Sequence, residues 1–83
     1  MSYSLIYSET SLKQIKALSK ENRERIIKTL ERSRIRPHSH AKKLVGNKYF
    51  SLRSGNYRII IDIQENKLII MIISLGHRRN VYK

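Results

Sequence analysis

From Tyr57 to Ile63 the chain reads YRIIIDI, a run too rich in β-branched residues for a loop and too short for a helix. Strand side chains alternate in direction, so the pattern predicts Tyr57, Ile59, Ile61 and Ile63 on one face. Arg58, Ile60 and Asp62 fall on the other. Ser54-Gly55-Asn56 precedes this run and Gln64-Glu65-Asn66 follows it, both with turn composition. The stretch from Tyr49 to Tyr82 therefore reads as three antiparallel strands. In the last, Leu68 to Leu75 is apolar at nearly every position, which predicts a central strand covered on both sides.

Upstream the period changes. Tyr3, Leu5 and Tyr7 alternate with serines and suit a short edge strand. Leu12, Ile15 and Leu18 then recur at helical spacing, with Ser8 as cap and Lys13, Lys16 and Lys20 facing water. A second helix is predicted from about Lys20 to Ile35, capped by Ser19, burying Ile26, Ile27 and Leu30 and ending before Pro37. Residues 38–43 form a polar basic loop, and Leu44 and Val45 tuck it against the sheet ahead of a Gly46-Asn47 turn. The whole predicts one α+β domain spanning 1–83. An N-terminal strand leads to a two-helix hairpin packed on one face of a mainly antiparallel, twisted sheet of four to five strands.

Composition sharpens this picture. Eighteen Lys and Arg against six acids give a net charge of +12. Residues 37–83 contain only Asp62 and Glu65 as acids. Self-repulsion on that scale is relieved by a polyanion, with nucleic acid first, an acidic protein segment second and an anionic membrane surface a distant third. The plainer alternative is a solvated, lysine-rich surface. The absence of cysteine excludes disulfides and thiol chemistry. MSYSLIYSET carries no signal-peptide pattern, which predicts a cytosolic protein, and Leu68–Ile73 is too short to span a bilayer.

Candidate chemistry is found largely by elimination. There is no glycine-rich phosphate loop, no GxSxG and no carboxylate pair set against a histidine. His38 and His40 read as loop residues rather than metal ligands, and Asp62 as an ion-pair partner of Arg58. No metal or cofactor is expected. What remains is Arg53, Arg58, Arg78 and Arg79 with His77, Tyr49, Tyr57 and Tyr82. Arginines can grip phosphate oxygens in bidentate fashion and offset charge developing on them, while aromatic rings stack on unpaired bases. These residues alone predict nucleic-acid binding and leave catalysis open.

LRSGNYRIII followed by SLGHRRNVYK resembles the RelE family of bacterial and archaeal toxins, and the element order agrees along nearly the whole chain. That resemblance implies a small, metal-independent ribonuclease that cuts messenger RNA in the ribosomal A site and so arrests translation. It also implies an acidic, RelB-like antitoxin as partner, in a heterodimer or heterotetramer. By motif, Arg58 matches a phosphate-binding residue that stabilises the transition state. Arg78 matches the arginine proposed as general acid, and Tyr82 the tyrosine that orients or stacks substrate. Arg53 matches a further basic position. Arg79, Lys43, Lys48 and Tyr49 complete the expected RNA-binding set, and His77 is a candidate for either proton role. Enteric-type RelE has two lysines on the first strand of the meander, one proposed as general base. Tyr49 and Ser51 stand there in this chain, leaving Lys43, Lys48 or His77 to substitute. The chain runs one residue past Tyr82, so the C-terminal helix of some members is not expected. Two alternatives stay open: a ParE-like toxin that inhibits DNA gyrase, and a non-catalytic RNA-binding module.

Overall fold

Ser8 turns the chain from its first strand into its first helix. It follows β1 (Ser4–Tyr7) in extended geometry, and its Oγ accepts from Ser11 N at 3.0 Å, capping α1 (Glu9–Lys16). Ser19 does the same for α2 (Lys20–Ser33), accepting from Asn22 N at 3.3 Å. Arg36 takes a positive φ of 53° ahead of Pro37, which opens a single turn, α3 (Pro37–His40). Then come β2 (Lys42–Lys43), β3 (Phe50–Ser54), β4 (Tyr57–Gln64) and β5 (Ile69–His77). The structure, a computed structural model, describes residues 2–77; Arg78, Arg79 and Tyr82 fall outside them.

The five strands form one sheet in the order β1-β5-β4-β3-β2, antiparallel except for the β1–β5 pair. Both long helices cover one face, α1 over β5 and α2 over β3. Ile15, Ile26 and Leu30 there meet Leu52, Ile59, Ile61, Ile70, Ile72 and Leu75 in one buried cluster. The expected α+β architecture is present, with its helix caps and its β4 face assignment. No helix among the described residues is long and apolar enough to cross a membrane.

Several details differ from the sequence expectation. Leu12 is 43 % exposed, whereas Ser11 is fully buried. Ser11 and Ile15, one helical turn apart, form the buried stripe, and the small serine lets α1 lie close to the sheet while its Oγ donates to Ser8 O at 2.9 Å. The α2 helix ends at Ser33, and Ile27 is half-buried. Val45 is wholly exposed rather than tucked in, because the loop closes through Leu44 N to Tyr49 O at 3.0 Å. The second hairpin turn runs through Leu68, at φ 53°, whose carbonyl accepts from Ser4 N and so anchors β1. The β5 strand is central, but only Ile70, Ile72 and Leu75 are buried; Ile69 and Met71 on the helix-free face are half-buried.

A β-bulge has the largest consequence for the site. Ile60 pairs with Ser74 and Ile61 with Ile72, so Ile73 is an extra residue on β5. Beyond Ile72 the strand has passed the end of β1, and α1 supplies the missing partners. Ser8 Oγ donates to Ile73 O at 2.7 Å, and Gln14 Oε1 accepts from Leu75 N at 2.7 Å.

Candidate nucleic-acid interface

The helix-free face of the sheet collects the polar side chains of the meander. Arg53 on β3 lies directly opposite Arg58 on β4, which in turn lies opposite Gly76 on β5. The next rung runs Lys42, Ser51, Ile60, Ser74 across four strands. Residues paired across a ladder share a face, so both arginines project from the same side. Gly76 adds no side chain to the arginine rung.

Beside this pair a groove of ≈ 560 Å³ opens between the sheet and the 44–49 loop, lined by Lys42, Tyr49, Ser51, Arg58 and Ile60 among others. The loop is held from within: Asn47 Oδ1 accepts from Tyr49 N at 2.8 Å, and Lys43 Nζ donates to Asn47 O. Gly46, at φ 82°, makes the turn. Tyr49 is thereby held in the groove wall, half-buried, with the Lys48 ammonium 5.6 Å from its ring centroid.

The predicted residues therefore divide. Arg53, Arg58 and Tyr49 come together on one face. Lys43 borders the groove, but its ammonium is engaged by Asn47 and lies 5.7 Å from the Phe50 ring, whose position pairs with Ile61 in the core. Lys48 remains exposed beside Tyr49. His77 pairs with Tyr57, their ring centroids 6.0 Å apart and edge-on, on the helix-covered side of the sheet. The bulge is the reason, since an uninterrupted β5 would have carried His77 on the face of Arg58. Arg78, Arg79 and Tyr82 lie outside the described residues. Asp62 Oδ2 accepts from Gln64 Nε2 at 3.2 Å. His38 Nε2 is 2.9 Å from Glu65 Oε1, a pairing that residues far apart in sequence do not announce. Sequence reasoning missed Lys42; its signal was the KKLVGNKYF stretch, two short runs flanking Gly-Asn, which can be read as a hairpin.

Residues 5–82 match the family described as the ParE toxin of type II toxin-antitoxin system, parDE. The mRNA interferase toxin RelE of Escherichia coli K12 is 32% identical over 81 residues, covering 94% of this chain and 85% of that protein. The chain belongs to the RelE family of toxins. Solved structures of RelE agree with the fold. A double arginine-to-alanine mutant of Escherichia coli RelE in the free state superposes with a TM-score of 0.80 at 28% identity, covering 98% of this chain and 88% of that one. RelE in the intact Escherichia coli RelBE toxin-antitoxin complex gives 0.73 at 29% identity, covering 92% and 96%. This RelE-family chain is thus the toxin component of a type II toxin-antitoxin pair.

Proposed function

We propose that this toxin is a metal-independent endoribonuclease that cleaves messenger RNA in the ribosomal A site, and that a RelB-like acidic antitoxin silences it. The observation that carries the reading is the Arg53–Arg58 rung beside the groove: two arginines on one face of the sheet, placed to grip the same phosphodiester. The relative named mRNA interferase and the RelE complex with RelB support the substrate class and the partner.

In this mechanism the RNA supplies its own nucleophile. The 2′-oxygen gives its proton to a base, for which Lys43, Lys48 and His77 are the candidates, and bonds to phosphorus; the P–O5′ bond breaks, and the departing 5′-oxygen takes a proton from the donor that the motif resemblance assigns to Arg78. Arg58, with Arg53 beside it, offsets the negative charge on the phosphoryl oxygens, and Tyr49 offers a ring to an unstacked base. Arg78 as proton donor and Tyr82 as orienting group rest on the motif resemblance.

Purified toxin freed of bound metal with EDTA, then added to magnesium-stabilised ribosomes programmed with a defined message, should cut it as fast as untreated toxin. The products should be a 2′,3′-cyclic phosphate and a 5′-hydroxyl. Arg58→Ala should slow single-turnover cleavage by about 10²- to 10³-fold without unfolding the domain. A 5′-phosphate product, or restoration of activity only by added divalent ion at the active site, would refute the mechanism. The ParE name of the matched family favours a second reading, gyrase inhibition. Broken DNA with translation intact in cells expressing the toxin would establish that reading instead.

A further inference from the structure

We infer that Lys42, on the two-residue edge strand β2, is a third cation of the phosphate site, joining Arg58 and Arg53; this rests on the ribonuclease reading above. Lys42 pairs with Ser51, Ser51 with Ile60, and Ile60 is the same-face neighbour of Arg58 on β4. The lysine thus stands two strands across and one rung along from the arginine. With strands about 4.8 Å apart and same-face residues about 6.8 Å apart, their Cα atoms are roughly 12 Å apart. Two long cationic side chains span that distance when an anion lies between them. The groove is lined by both residues, and Ser51 between them is too short to fill it.

The other lysines near the groove are committed elsewhere. Lys43 also borders the groove, but Asn47 O accepts from its ammonium, and Lys48 lies against the Tyr49 ring. Among the described residues no hydrogen bond or ion pair holds the Lys42 ammonium. Lys42 delivers a cation to the rung of Ser51, next to the arginine rung. In cleavage the Lys42 ammonium meets the scissile phosphate from the side away from the Arg58 and Arg53 guanidiniums, and the lysine stabilises charge as the 2′-oxygen attacks.

The test is single-turnover cleavage on programmed ribosomes with wild type, Lys42→Ala, Lys42→Arg, Lys42→Ala/Ser51→Lys and Arg58→Ala, each checked for folding by circular dichroism. Lys42→Ala should lose about 10²-fold in rate with little change in half-saturating ribosome concentration. Lys42→Arg should stay within about tenfold of wild type because charge is kept. The double variant, which moves the lysine across the ladder to its register partner, should recover most of the loss. Lys42→Ala within about threefold of wild type, or Lys42→Arg as slow as Lys42→Ala, overturns the inference while a slow Arg58→Ala leaves the ribonuclease reading standing. A fully active Arg58→Ala overturns both.

Discussion

Tyr7 closes β1 against the core, and its hydroxyl is held above its ordinary value of 10.0, first by burial and then by the nearby Glu31 carboxylate. The folded protein therefore keeps the phenol proton more tightly than the unfolded chain does. The sign follows: this contribution is intact below pH 10.0 and is lost as pH rises through the higher folded-state value. Melting wild type and Tyr7→Phe between about pH 8 and 11.5 should show the wild type losing stability faster at the alkaline end. Parallel curves would remove Tyr7 from the account. Single residues also show what the sequence could disclose. Arg58 and Arg53 were legible because β4 alternates without interruption and its turn is short. His77 was not, because one inserted residue at Ile73 inverts every later position, and nothing in ISLGH marks it. Lys42 was hidden for a different reason: two residues are too few to show a period.

At the level of elements, helix caps differ in worth according to what else they hold. Ser8 Oγ accepts from Ser11 N and also donates to Ile73 O, while Ser8 N donates to Ile72 O at 3.0 Å. Ser19 makes only the exposed 3.3 Å cap. Ser8→Ala should therefore cost about 2 kcal/mol and Ser19→Ala about 0.5–1 kcal/mol, read as shifts in urea midpoint at constant slope. Equal losses would show that the bulge carbonyl gains nothing from Ser8. The helices themselves were legible from caps and period, yet the phase of α1 was not. Leucine outranks serine in any hydrophobic pattern, whereas the fold buries Ser11 and exposes Leu12 because a close helix-to-sheet approach favours the smaller side chain.

For the whole molecule, charge is distributed unevenly. Four of the six acids, Glu9, Glu21, Glu24 and Glu31, lie on the helices, where three pair with Lys13, Arg25 and Arg34. Such exposed pairs add little stability, but they moderate the helix side and leave the meander basic. An acidic antitoxin segment should be steered to that side. Raising NaCl from about 0.05 to 0.5 M should slow its association by at least about tenfold, with less effect on dissociation. A salt-insensitive association rate would argue for an apolar encounter instead. The topology also bears on how the molecule comes into being. Because β5 sits between β1 and β4, the first strand to be synthesised finds its partner only when the last described strand arrives, and Ser8 waits for a carbonyl 65 positions ahead. Such long loops make the closing step slow relative to local helix formation. Until β5 is available the helices have no closed sheet to cover, so the core that sets the shape of the domain is completed only when that strand arrives.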